Sequence, residues 1–233
     1  MERRSFLKFS ASLLGSSLLY GCDQGGSANQ DTAQILTLPE FSAERLHAQL
    51  DTLSEAYEDK GLQVSKNLLP ALDEQALAQK SIWFPGEMIA ELIALYGWRE
   101  GQEKDAWETE HSFLFRDNAF TSMARAEKEY ESIMESYGAE PEDHDLLESS
   151  FPFAAFNGGW FVLPTGSHPY EDKFERPVIS VHEGIDVYFY SIESMVKTCI
   201  DWVRHPAYAN NSSLPRDIEL AIWEKHNPGI FSI

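Results

Sequence analysis

Cationic side chains are scarce in this chain. Its 233 residues hold 18 lysines and arginines against 38 aspartates and glutamates, a formal charge of −20. Phosphate binding needs a basic face, so this balance argues against a nucleic-acid binder. It argues equally against electrostatic adhesion to anionic lipid. Cysteine is scarcer still, with only Cys22 and Cys199. Long apolar runs are missing too. The apolar stretch 9–20 is short and contains Ser and Gly, which counts against a membrane span. No internal repeat or long low-complexity run occurs. Catalytic signatures are absent: there is no G-x-S-x-G, P-loop or H-E-x-x-H. The seven histidines (His47, His111, His144, His168, His182, His205 and His226) are scattered, with no pair at metal-ligand spacing on one element. His182 reads as a turn residue, and His168-Pro169-Tyr170-Glu171-Asp172 as a solvated loop rather than a calcium site. The sequence therefore leads us to expect no catalytic residue, metal or cofactor.

What is present begins with an address. Arg3-Arg4-Ser5-Phe6-Leu7-Lys8 resembles the twin-arginine export motif. The apolar stretch after it ends in Leu19-Tyr20-Gly21-Cys22, which resembles a bacterial lipobox. There the cysteine thiol is the nucleophile for lipid transfer, and a small residue precedes it for cleavage. Tyr20, and Glu2 ahead of the arginine pair, depart from the usual patterns. On this reading residues 1–21 are a signal peptide and Cys22 is the lipidated first residue. Removing Arg3, Arg4 and Lys8 together with Glu2 would take the charge from −20 to −22. Asp23 then suggests retention at the inner membrane. Residues 22–39 read as a lipidated, flexible tether; about ten such residues span roughly 18 Å as a coil. With Cys22 acylated no internal disulfide is possible, and Cys199, on an apolar stripe, reads as a small core residue.

Residues 40–233 have the length and the apolar content, 43% over the whole chain, for one domain. Ser42 is a natural N-cap, and Phe41 with Leu46 suits a hydrophobic staple. Leu46, Leu50, Leu53 and Tyr57 continue one helical face to Lys60-Gly61. A short second helix is expected over 68–78, capped at Asp73 or before. Pro85 suits the first turn of a third helix, carrying the stripe Ile89, Leu92, Ile93 and Tyr96. Residues 99–148 hold fifteen acids against five bases. Within them Phe113-Leu114-Phe115 reads as a strand, 121–137 as a helix, and Glu140 to Glu148 as an acidic loop. Phe151 to Trp202 organises the rest. F-P-F-A-A-F and W-F-V-L-P flank Asn157-Gly158-Gly159, a hairpin signal. Two further strands follow, over 177–181 and 185–190. Ser191 then caps a helix with Met195, Val196, Cys199, Ile200 and Val203 on one side. Pro215 opens a last helix through Leu220 and Trp223. Trp160 and Trp202 read as core. The fold class expected is α+β, an antiparallel sheet with helices packed against it.

The order of motifs over 70–203 resembles the SUKH (Smi/Knr-like) superfamily of cell-wall-assembly regulators and bacterial immunity proteins. Phe84-Pro85, Tyr96 and Glu100-Gly101 stand where that family has L-P, a tyrosine and N-G, though the spacing is longer and Glu100 replaces the Asn. Phe113-Leu114-Phe115-Arg116, then Ala124, Ala126 and Tyr130, are similar to its F-R-F strand and helix. Pro152-Phe153-Ala154 with Gly158-Gly159, and Ser191-Ile192-Glu193, match its last strand and helix signatures. The resemblance implies a non-enzymatic immunity protein that captures a toxin. The export signal would place it outside the cytoplasm, on the periplasmic face, touching membrane only through its lipid, and acting as a monomer. The acidity suits a basic toxin or effector, with Glu140, Glu142, Asp143, Asp145 and Glu148 as the candidate contact face. The alternatives are a wall-related scaffold or regulator and an unrecognised envelope hydrolase. Replacing Cys22 with Ala is expected to move the protein from the membrane to the soluble fraction of lysed source cells. Unchanged membrane association of Cys22→Ala would refute the anchor.

Overall fold

The computed structural model describes residues 39–102, 113–115, 117–156, 158–208 and 214–230. Arg3, Arg4, Cys22, Asp23 and most of the tether lie outside the described residues, as do Trp107 and His111. The described residues belong to one compact unit.

Helix α1 (Ala43–Asp59) starts where Ser42 Oγ accepts the Arg45 N–H at 3.2 Å. Leu46, Leu50, Leu53 and Tyr57 are buried, as their spacing requires. The helix closes at Lys60, and Gly61 follows at φ +75°, a conformation that favours glycine. A 3-10 turn spans Val64–Asn67.

Helix α2 occupies only Glu74–Lys80, with Asp73 Oδ1 accepting from the Ala76 N–H at 2.7 Å. The stretch 68–72 is not helical, and the cap falls at Asp73, the last of the positions expected for it. The amides of Leu69 and Leu72 donate to Gly101 O and Tyr96 O. Pro70 disfavours helical backbone at Leu69, and the cap at Asp73 restarts the chain.

Helix α3 (Ala90–Trp98) begins five residues after Pro85 rather than at it. The Phe84 N–H closes a turn on Ser81 O, and the Phe84 ring meets Phe151 edge-on at 5.1 Å. A Cβ at Gly86 would run into the Thr165 hydroxyl and the Phe84 ring unless these side chains shift. Trp83 joins the same aromatic cluster, and Trp98 is buried with its indole N–H on Asp51 at 2.8 Å.

The expected strand at Phe113–Phe115 is a turn. Phe115 and Asn118 exchange backbone hydrogen bonds of 3.1 and 3.0 Å, and the strand β1 is Ala119–Phe120. The cause is Gln102, almost fully buried, whose Oε1 accepts the amides of Leu114 and Phe120. One side chain thus replaces a neighbouring strand.

Helix α4 (Met123–Ser136) follows, then α5 (Pro141–Glu148), where the sequence reading has a loop. Pro141 stands in the first turn, where its missing N–H is harmless, and acids near a helix N-terminus are favourable. Leu146 and Leu147 are buried and anchor α5 beside β2.

Strands β2 (Ser150–Phe156), β3 (Gly159–Pro164), β4 (Val178–Val181) and β5 (Ile185–Phe189) complete an antiparallel meander in the order β1-β2-β3-β4-β5. The fold class is therefore α+β, as expected. Residues 150–155 are all buried, so β2 is covered on both faces. Helix α6 (Ile192–Arg204) packs against α1, β5 and α7 (Arg216–His226), while α4 and α5 pack on β2. Trp160, Trp202 and Cys199 lie in the core as expected.

Ser191 and Ser194 cap α6 reciprocally, each hydroxyl accepting the other's backbone N–H at 3.1 and 3.0 Å. Asn227, fully buried after α7, ties this cap to its surroundings. Its Oδ1 accepts from the Tyr190 N–H and the Ser194 hydroxyl, at 3.1 and 3.0 Å. Its Nδ2 donates to Thr198 Oγ1 and Trp223 O, at 3.1 and 3.0 Å. Every hydrogen-bonding position of the amide is filled. Asn227→Ala strands several buried polar groups at once, so a loss of about 2–4 kcal/mol is expected in urea unfolding. A loss below about 0.5 kcal/mol would show that the network carries no stability.

Candidate functional site

Among the described residues, three places hold polar or aromatic groups in arrangements beyond simple core packing. The first is the surface of α4 and α5. Over 123–148 nine carboxylates face two bases, Arg125 and Lys128. Glu127, Glu131, Glu135, Glu140, Asp145 and Glu148 are exposed, because apolar positions of the same helices turn towards β2. Asp143 is half-buried. Glu142 sits in the first turn of α5; its side chain lies outside the described residues. Four of the five sequence-derived contact residues thus lie on one short helix, and Glu140 stands at its N-cap position. His144, Asp145 and Glu148 offer ligand atoms within 4.8 Å of one another. They occupy positions i, i+1 and i+4 of an exposed helix, a proximity that helical pitch alone supplies.

One carboxylate of α4 does not join this surface. Glu129 is 6% exposed and accepts the Trp160 indole N–H at 2.5 Å, while Arg125 pairs with it from one turn earlier. Tyr137, at the end of α4, donates to the His182 carbonyl and packs edge-on against Trp160. These contacts fix α4 to the tips of the β2–β3 and β4–β5 hairpins. His182 itself is exposed, in the turn that the sequence indicated.

The second place is where α1, α3 and α6 begin. Glu91, in the first turn of α3, is 8% exposed and lies 3.3 Å from Arg176. Glu193, in the first turn of α6, pairs with Arg45 at 2.6 Å, and Arg45 also donates to Glu40 O. Burial pushes the Glu91 carboxyl above its ordinary value; a backbone hydrogen bond and Arg176 oppose this, and Glu175 and Glu193 add to it. The nearby loop contains His168, which is buried rather than solvated as expected. Its Nε2 lies 3.3 Å from Glu175 O, and its Nδ1 has no hydrogen-bond partner among the described residues. Tyr170 and Phe174 fold this loop onto the sheet side of Tyr190 and Ile185, drawing the histidine inward.

The third place is a cavity of about 290 Å³ at the hairpin tips. Phe115, Phe156, Phe161, Tyr188, Phe189 and Trp202 supply aromatic walls. Asp117, Asn118, Ser180 and His182 supply polar groups. Sequence reasoning marked several of these rings as strand or core residues. Their convergence depends on the turn at Phe115–Asn118, which replaced the expected strand.

No family model matches the chain, and no curated protein matches it. Among the described residues, no helix is long and apolar enough to cross a membrane.

The ionisation of Glu91 gives a test of the second cluster. A carboxyl whose folded-state pKa is raised adds stability below its unfolded value and loses it as pH rises through the folded value. Glu91→Gln is therefore expected to be more heat-stable than wild type at neutral pH. That gain should fade on acidification into the ordinary carboxylate range. A variant equally or less stable at neutral pH would show that Arg176 outweighs burial.

Proposed function

We propose that this chain is a non-enzymatic binding protein of the SUKH (Smi/Knr-like) type, exported and lipid-anchored at the periplasmic face of the envelope through Cys22. Its role on this reading is immunity: stoichiometric capture of a basic secreted toxin. The observation that carries the proposal is the α4–α5 surface, where exposed carboxylates on two adjacent helices outnumber the bases. Such a surface steers a basic partner to the domain and fixes its orientation. An antiparallel sheet with helices packed on it is the fold class that the family resemblance implies, which supports the reading at that level.

The test is capture from secreted and envelope fractions of the source cells by the carboxy-terminally tagged chain. One basic protein, bound one to one and released by salt, is expected. The triple variant Glu140→Gln, Asp145→Asn, Glu148→Gln should then slow association about tenfold at low salt and flatten its salt dependence. Capture of wall-synthesis proteins instead would replace immunity with a scaffold role. Unchanged kinetics in the variant would remove α5 from the interface.

A further inference from the structure

We infer that the turn at Ile82–Trp83 is the apolar anchor of the acidic α4–α5 surface, covered in the complex by an apolar centre on the basic partner. This rests on the reading above that a basic protein binds α4 and α5. It adds what holds that protein once charge has brought it in.

Exposure singles the turn out. Ile82 is 88% exposed, and the next large apolar side chains among the described residues, Leu220 and Ile93, reach only 44% and 39%. A lone aliphatic group in water is ordinary. Ile82 is not alone. Trp83 is half-buried and Pro85 exposed, and the Trp83 ring lies 5.7 Å from that of Tyr130, itself half-buried. The Trp83 indole nitrogen is shielded from solvent, so this ring offers carbon outward.

The patch is continuous with the acidic surface. Tyr130 belongs to α4, and its hydroxyl donates to Glu148 O at the end of α5, at 3.1 Å. Glu127 stands three residues before Tyr130 and so shares its side of α4. The side chains of Glu127 and Glu148 are exposed. Lys80, the closest cation in sequence to the turn, is paired with Glu100 at 2.5 Å. An apolar centre containing Trp and Tyr inside a charged rim is the anatomy of protein interfaces, and such centres carry most of the binding energy.

The rim decides what covers the centre. A second copy would set its own carboxylates against these, and anionic lipid its phosphates, and both repel. A basic surface around an apolar centre is the complement. The turn is also built before that surface arrives. The Ser81 N–H donates to Leu77 O and the Phe84 N–H to Ser81 O, both at 2.9 Å, and the buried Phe84 ring packs on Phe151 and Tyr130. Little ordering is then lost on binding.

The experiment separates steering from holding, because long-range charge acts on association and the buried anchor on dissociation. The purified full chain is titrated, with amide and indole NMR, against two capped peptides of equal length and charge. One combines lysines with leucines on a single helical face; the other has serines in place of the leucines. The leucine peptide is expected to bind at least about fivefold tighter and to shift Ile82, Tyr130 and the Trp83 indole. Ile82→Ser should abolish that advantage and Ile82→Leu should keep it, with an unchanged spectrum elsewhere confirming the fold. The same variants are then carried to the basic protein captured above. Ile82→Ser should speed its dissociation about tenfold and leave the salt dependence of its association unchanged, while Ile82→Leu stays near wild type. Equal binding of the two peptides, or no shift at the turn, overturns the anchor. A captured basic protein that leaves Ile82→Ser as slowly as wild type overturns it too, and leaves the immunity reading standing. Self-association of the wild type that Ile82→Ser abolishes assigns the turn to a second copy and overturns this inference. A leucine advantage with no basic protein captured upholds the apolar anchor and overturns the partner assigned to it.

Discussion

A single buried amide holds the carboxy-terminal half together. Asn227 offers two acceptor sites and two donors, and all four are used on three different segments. In a dry interior an unpaired polar group is costly, so such an amide tolerates only one arrangement of its neighbours. That arrangement fixes the end of β5, the first turn of α6 and the last turn of α7 together. Ser194 belongs both to the α6 cap and to this network. Helix α6 can therefore neither fray at its start nor slide along the sheet without breaking both.

From that fixed helix the rest of the layout follows. One side of α6 meets α1, another meets α7, and its Trp202 reaches towards Phe189 and the aromatic cavity. On the β2 side, the Glu129–Trp160 bond and the Tyr137–His182 bond hold α4 to the hairpin tips. The acidic surface and the aromatic cavity are thus both tied to the same hairpins. Apolar burial supplies most of the stabilisation, and a few well-paired polar groups decide the register.

Much of this was legible in the chain. Ser42 and Ser191 announced their helices because a side-chain oxygen at an N-cap satisfies an otherwise unpaired amide. The β2–β3 hairpin was legible from its glycine turn, and β5 from its alternation. Other elements were not. Residues 140–148 look like a loop by composition, yet Leu146 and Leu147 find a hydrophobic site on β2 and pull the segment into a helix. Pro85 marks a helix start by local rule, but Phe84 and Gly86 dock against distant residues and delay it. His168 sits in a polar stretch of sequence and is buried all the same.

The sequence by itself determined the balance of charge, the antiparallel meander and the serine-capped helix that closes it. These depend on composition and on contacts a few residues apart. Only the tertiary structure decided which carboxylates are buried with a partner and which face water. Glu129 and Glu91 are indistinguishable in the chain from their exposed neighbours. Trp160 and Arg176, each far off in sequence, draw them inward. The aromatic cavity is likewise a product of the fold. Its rings come from the Phe115 turn, three strands and α6, and a local pattern cannot specify where such separate segments converge.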